Sequence, residues 1–309
     1  MTGVTTDGTR TTRARPEDRR VERQWPESPS APVTWRTLGL ETMASLLVVS
    51  LGRESSRSFV AHCQWPRCHP LNERTTAVRH HPLIMVESAR QLALAVERTH
   101  LYADERPALE PLSLSLGLRP PPGPTEHGSA TDVEARLVLS DLASYAGQFA
   151  SYRATTEFLQ RGTPFASCTI GFARPLEGGT PIPDEAVAHA LLFPSAAAVG
   201  AAADTDVLLA RAPQGRLVLH PRDPGHPVLL PGRPAWLPAA AVLEAGRQAT
   251  LLHSGMTAGA VTGLGVRLLA PVPARGAVVE VATEPGGSRF LVTAAGRVVA
   301  TGTVALLQP

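Results

Sequence analysis

The chain has 309 residues, 43% hydrophobic and 18% charged, which suits one large globular domain or two of about 130–150 residues. All 29 basic side chains are arginine, so chemistry that needs a lysine amine, as a Schiff base or a phosphate-loop ligand, is excluded. Any bound anion must be held by arginine, histidine or backbone N–H groups. The net charge of +2 arises within residues 1–36, which hold seven arginines and five acids, and it does not indicate a nucleic-acid partner.

Residues 1–50 are predicted to form a mostly disordered N-terminal tail, because the segment is rich in polar and charged residues for most of its length. It lacks the apolar core of a signal peptide, and no later stretch reaches the roughly 20 apolar residues of a membrane span. Three cysteines are too few for a disulfide framework. We therefore expect a cytoplasmic protein without a membrane partner.

After the tail, the first strong helix pattern runs from about Pro82 to Thr99 and begins at a proline, which a first helical turn tolerates. Alternating apolar residues then predict a series of strands. These strands are Leu112–Leu118, Ala135–Leu139, Gln148–Leu159 and Cys168–Ala173.

The second helix pattern runs from about Pro238 to Ser254, and Gly255 is a suitable stop. Four more strand patterns follow it: Val261–Leu269, Ala277–Thr283, Phe290–Ala294 and Arg297–Leu306. One central helix followed by an antiparallel sheet thus occurs twice. This order predicts an α+β protein with a tail at 1–50, a first domain at 51–180 and a second at 181–309.

A short motif supports an internal duplication. The pattern Glu-x-x-Arg-Gln occurs at Glu87–Gln91 in the first helix and again at Glu244–Gln248 in the second, 157 residues later. On a helix its three fixed side chains share one face. The flanks of the motif are apolar nearly all round, which favours a helix wrapped by other structure. The Glu and Arg then form either a buried structural pair or a site that faces a ligand, and we favour the ligand-facing site.

The motif residues have the chemistry of an acid–base site. A glutamate in apolar surroundings is expected to become a usable base near neutral pH. An adjacent arginine is suited to a phosphate or to a developing oxyanion.

Several segments resemble the A-factor synthase (AfsA) family of actinobacteria. The resemblance extends from about residue 55 to the end of the chain, and the paired Glu-x-x-Arg-Gln is its most specific part. The segments that carry it are Gln64–His69, His81–Gln91, His226-Pro227, Leu237-Pro238, Leu243–Gln248 and the closing strand Arg297–Gly302. The resemblance implies a tandem (double) hotdog fold, each half a long central helix wrapped by an antiparallel sheet.

The family resemblance also implies an activity in γ-butyrolactone signal biosynthesis, a quorum-signalling branch of secondary metabolism. The implied reaction transfers a β-ketoacyl group from an acyl carrier protein or CoA thioester to dihydroxyacetone phosphate, without a metal or other cofactor. The implied catalytic residues are Glu87, Arg90, Glu244 and Arg247. The implied substrate-binding residues are Gln91, Gln248, His69, His81 and Arg233.

Departures from the family pattern keep other functions open. Residues 231–240, before the second helix, contain no Asp or His where family members carry them, so the second centre is expected to be altered or structural. Two alternatives are a hotdog thioesterase or dehydratase on acyl thioesters, and a non-catalytic homologue that binds an acyl ligand. The Cys/His patch from His62 to His81 matches no familiar zinc spacing, and Cys168 is expected in the core.

Overall fold

A computed structural model describes residues 30–72, 78–101, 109–119, 125–126, 128–145, 148–178, 191–256 and 258–307. Most of the predicted tail and the predicted boundary near residue 180 lie outside these ranges. Residues 30–50 contribute strand β1 (Ala31–Pro32), helix α1 (Trp35–Leu38) and the start of strand β2 (Val48–Arg53). Residues within 30–50 therefore take part in the sheet, because β1 pairs with β2.

Both predicted central helices are present. Helix α2 spans Pro82–Val96, with a π-helical turn over Glu97–Leu101, and helix α3 spans Ala239–Ser254 and ends at Gly255 in the left-handed conformation. Most residues of α2 and α3 are buried, as their apolar flanks predict. Within the described part of the chain, no helix is long and apolar enough to cross a membrane.

The strands confirm the eight predicted ones, mostly with longer bounds. Those of the first half after β2 are β3 (Ser58–Pro66), β4 (Val78–Arg79), β5 (Glu110–Leu118), β6 (Thr125–Glu126), β7 (Ala130–Tyr145), β8 (Gln148–Gln160) and β9 (Thr163–Ala173). Those of the second half are β10 (Leu209–Arg211), β11 (Leu217–Leu219), β12 (Val261–Leu268), β13 (Val278–Glu284), β14 (Gly287–Ala294) and β15 (Arg297–Leu306).

Thirteen strands form one antiparallel sheet in the order β1-β2-β3-β7-β8-β9-β5-β12-β15-β14-β13-β11-β10, and β4 pairs only with β6. The two halves join where β5 pairs with β12, with Ser115 opposite Gly265. Around this pair the neighbouring strands repeat in the same order, β9 then β8 on one side and β15 then β14 on the other. The protein is therefore an α+β double hotdog, in which two helices pack against a long antiparallel sheet.

Candidate functional site

The first Glu-x-x-Arg-Gln motif forms a compact hydrogen-bonded centre on α2. Arg90 donates from Nε to Glu87 Oε2 and from Nη2 to Glu87 Oε1, both at 2.7 Å. Gln91 donates from Nε2 to Glu87 Oε1 at 2.9 Å and to the carbonyl of Ser45 at 2.7 Å. Its Oε1 accepts from the backbone N–H of Leu47 at 2.9 Å. The glutamine thus ties the carboxylate to the backbone that leads into β2.

The second motif repeats this arrangement on α3. Arg247 donates to both oxygens of Glu244, at 2.8 and 2.6 Å. Gln248 donates to Glu244 Oε1 at 2.9 Å and to the carbonyl of Asp206 at 2.8 Å, and it accepts from the N–H of Leu208 at 2.9 Å. The hydrogen bonds establish that the two centres are structural equivalents, so the duplication inferred from sequence extends to the site.

The two arginines differ in exposure. In the second half, Arg247 Nη2 also donates to the carbonyl of Gly200 at 2.9 Å. Gly200 has a left-handed conformation and ends a helical turn over the centre. The matching turn in the first half is α1, which ends at left-handed Gly39, but Arg98 rather than Arg90 donates to it. The Arg90 side chain is 28% exposed and that of Arg247 is 0% exposed. The first centre therefore opens to the surface and the second is covered.

A histidine from the first half reaches the second centre. His81 caps α2: its Nδ1 accepts from the N–H of Leu83 at 3.2 Å, and its Nε2 lies 3.6 Å from Glu244 Oε2. The corresponding cap of α3 is Pro238, whose side chain offers no hydrogen bond. The second centre thus contains residues from both halves of the chain.

Two further buried histidines precede the central helices, and they are also separated by 157 residues. The Nδ1 of His69 accepts from Leu71 N–H at 3.3 Å, and that of His226 accepts from Val228 N–H at 3.2 Å. His226 Nε2 bonds Asp206 Oδ1 at 3.1 Å. Residues 231–240 do lack Asp and His, but another part of the second half supplies the hydrogen-bonded pair Asp206 and His226.

Electrostatics reverse one expectation for the second glutamate. Burial alone raises the pKa of Glu244, but Arg247, His81 and the Gln248 hydrogen bond outweigh it, so the pKa lies below its ordinary value. Glu244 therefore stays ionised and weakly basic, contrary to the expectation that apolar surroundings make it a base near neutral pH. The bidentate arginine is the physical reason, because it favours the charged form.

For the histidines, burial has the larger effect on the pKa and the neighbouring charges the smaller one. Burial lowers the pKa of His69 and of His81 to about 4, more than the neighbouring Glu87 and Glu244 respectively raise it. Both imidazoles are therefore neutral near pH 7. Because each Nδ1 accepts from a backbone N–H, the single proton of each ring resides on Nε2.

The remaining residues singled out by sequence lie apart from the centres. Arg233 is exposed in a turn, with its Nε against Gly225, and no hydrogen bond among the described residues joins it to either centre. Cys63 and Cys168 are buried, which raises the pKa of each thiol to about 12, whereas Cys68 is exposed. Across the residues that the structure describes, no three His, Cys, Asp or Glu side chains converge as a metal site would require.

Asp206, His226 and Ser45 were not predicted as site residues. One signal was available in the sequence: His226 follows His69 by the same 157 residues that separate the two glutamates. Asp206 and Ser45 are aligned only by the three-dimensional structure, because different residue types occupy the equivalent positions.

Comparison with known protein families gives a match over the first half of the chain. Residues 23–173 match the family described as the A-factor biosynthesis hotdog domain, AfsA. No curated protein sequence matches the chain.

Several solved structures are similar over most of the chain. The dehydratase domain from the terminal module of the rifamycin polyketide synthase is 15% identical with a TM-score of 0.46, covering 88% of this chain and 99% of that one. HtdX of Mycobacterium tuberculosis is 14% identical with a TM-score of 0.41, covering 90% and 97%. The tesB protein of Mycobacterium avium subs. paratuberculosis is 14% identical with a TM-score of 0.40, covering 84% and 96%. At these values the likeness says nothing about the substrate of this protein.

Proposed function

The chain belongs, through residues 23–173, to the A-factor biosynthesis hotdog domain family, and from this membership we propose that it is an acyltransferase. The proposed reaction moves a β-ketoacyl group from an acyl carrier protein or CoA thioester to the hydroxyl of dihydroxyacetone phosphate. The observation that carries the proposal is the first centre, where a buried carboxylate lies beside an arginine that reaches the surface.

Glu87 is the proposed general base. Its Oε1 accepts two hydrogen bonds, from Arg90 and Gln91, whereas its Oε2 accepts only one, from Arg90 Nε. Oε2 therefore retains the lone pair that can take the proton of the acceptor hydroxyl. As the hydroxyl oxygen bonds to the thioester carbonyl carbon, the C–S bond breaks, and the proton passes from Glu87 to the departing thiolate.

Arg90 is the proposed anion ligand. Its Nε and Nη2 are committed to Glu87, and no acceptor within the described residues contacts its Nη1. A guanidinium with an exposed N–H edge can bind a phosphate while its other edge orients the carboxylate. In a chain without lysine, arginine is the residue available for this task.

The test uses Glu87→Gln and Arg90→Ala, with Arg136→Ala as a matched control. Arg136 pairs with Glu134 on the outer face of the sheet, away from both centres. Mass spectrometry of β-ketoacyl thioester plus dihydroxyacetone phosphate is expected to show transfer in the wild type and the control, and at least about 100-fold less in both site variants. Far-ultraviolet circular dichroism verifies folding.

Three outcomes contradict the proposal. Transfer at the wild-type rate in both site variants removes the first centre from the chemistry. Release of the free acid or an enoyl product without an acceptor indicates a thioesterase or a dehydratase. Binding of the thioester without any turnover indicates a non-catalytic acyl-binding protein.

A further inference from the structure

His69 presents an N–H group with no hydrogen-bond partner in the described protein. Its Nδ1 accepts from the backbone N–H of Leu71, so its proton is on Nε2. That Nε2 is buried, and no described acceptor contacts it. Buried donors in folded proteins normally have a hydrogen-bond partner, so an unpaired one calls for an explanation.

The second half of the chain provides an internal comparison. His226 is the equivalent histidine, with the same backbone bond to Nδ1, and its Nε2–H is satisfied by Asp206. The residue equivalent to Asp206 is Ser45, because each offers its carbonyl to the glutamine of its own centre. The Ser45 hydroxyl pairs with Thr42 at 3.1 Å and leaves His69 without a partner. Among the residues that the structure describes, the same fold position thus has an acceptor in one half and none in the other.

The unpaired donor is buried, within electrostatic range of Glu87 in the first centre. The negative charge of Glu87 interacts with His69 and raises its pKa, whereas the neighbouring His80 and His226 lower it. Burial keeps the ring neutral, so Nε2–H is an uncharged donor. An uncharged donor does not compete with the positively charged Arg90 for a phosphate. Acyl transfer requires a donor to the carbonyl oxygen and a base for the hydroxyl that attacks the carbonyl carbon. His69 Nε2–H would be the donor, and Glu87 Oε2 the base.

We propose that His69 Nε2–H donates to the carbonyl oxygen of the acyl thioester and to the oxyanion that forms as the acceptor hydroxyl attacks. This role rests on the proposed function in taking an acyl thioester as the ligand. In this role His69 stabilises charge and does not transfer a proton. A ring that already carries its proton on Nε2 is a donor and not a base at that nitrogen.

Two substitutions separate the two nitrogens of His69. In His69→Asn, the amide oxygen lies near the Nδ1 position and can still accept from Leu71 N–H, but the distal donor is lost. In His69→Gln, the amide N–H lies near the Nε2 position, so the donor is kept. We expect kcat to fall about 100-fold or more in His69→Asn with KM little changed, and to recover in part in His69→Gln.

An infrared measurement tests the contact without turnover. A β-ketoacyl-CoA labelled with ¹³C at the thioester carbonyl is bound to each protein without dihydroxyacetone phosphate. A hydrogen bond lowers the carbonyl stretching frequency, so we expect the shift in wild type and His69→Gln and its loss in His69→Asn. His226→Asn is the control, expected to lower the melting temperature by freeing Asp206 while keeping the carbonyl shift.

The outcomes distinguish this role from the proposed function. An unshifted carbonyl in the wild type, or a wild-type shift and kcat in His69→Asn, overturns the role of His69. A His69-dependent shift in a wild-type protein that transfers nothing to dihydroxyacetone phosphate supports the role of His69 and overturns the proposed acceptor.

Discussion

At the scale of single residues, glutamine is the side chain that each centre requires. Gln91 and Gln248 each donate to a carboxylate and to a backbone carbonyl, and each accepts from a backbone N–H. A glutamate could not donate these bonds, and a lysine or arginine could not accept. The recurrence of glutamine at this position thus follows from the hydrogen-bond count, whichever of the two centres carries out chemistry.

The two arginines give a stability prediction at the same scale. Arg247→Ala leaves Glu244 as a buried charge without its partner, which is expected to cost about 3–5 kcal/mol. Arg90→Ala is expected to cost about 1–2 kcal/mol, since water reaches the exposed edge of the first pair. Urea unfolding of both variants measures the difference. Equal losses would show that burial does not distinguish the two pairs.

At the scale of elements, the two halves fill the equivalent space between the central helix and the sheet with different side chains. Phe290 on β14 pairs with Gly302 on β15, and its ring lies where a side chain at Gly246 on α3 would project. The equivalent positions in the first half are Thr156, Cys168 and Ala89. One large side chain between two glycines is thus exchanged for three side chains of intermediate size, which maintains a close-packed interior.

This exchange predicts strong coupling between the helix and the sheet. A Cβ at Gly246 would lie 2.2 Å from the Phe290 ring, closer than real contacts allow. Gly246→Ala is therefore expected to destabilise by about 2 kcal/mol, although alanine favours helices by about 1 kcal/mol. The triple variant Gly246→Ala, Phe290→Thr, Gly302→Cys recreates the first-half set and is expected to recover much of the loss. If the free energies of unfolding lost by the three single variants simply added up in the triple variant, the coupling between helix and sheet would be refuted.

Periodicity predicted most of the elements but less of the site. Apolar period and turn residues located α2, α3 and the strands after them, because burial on a helix or a sheet face leaves a regular pattern. Residues 30–50 gave no such pattern, because their elements are only two to six residues long and have no period. The motif placed the glutamates and arginines on one face. Which arginine reaches the surface depends on contacts that are distant in sequence, from Arg247 to Gly200 and from Arg98 to Thr37.

At the scale of the whole molecule, buried histidines connect the two halves. His81 comes from the first half and contacts Glu244 of the second, while His69 and His226 interact electrostatically across the same boundary. Protonation of His69 and His81 therefore acts on contacts between the two halves and not on one local loop.

The final prediction is loss of stability in mild acid. His69 and His81 have a pKa of about 4 when folded against 6.5 when exposed, so the unfolded chain binds more protons as the pH falls. Their stabilisation is complete above pH 6.5 and disappears progressively between pH 6.5 and 4, by roughly 3 kcal/mol for each histidine. Urea unfolding from pH 7.5 to 4.5 measures this slope. His81→Asn, which keeps a side chain able to cap α2, is expected to reduce it, and substitution of the exposed His253 by Asn is not. A stability that stays level across this range would show that the two rings are not buried in their neutral form.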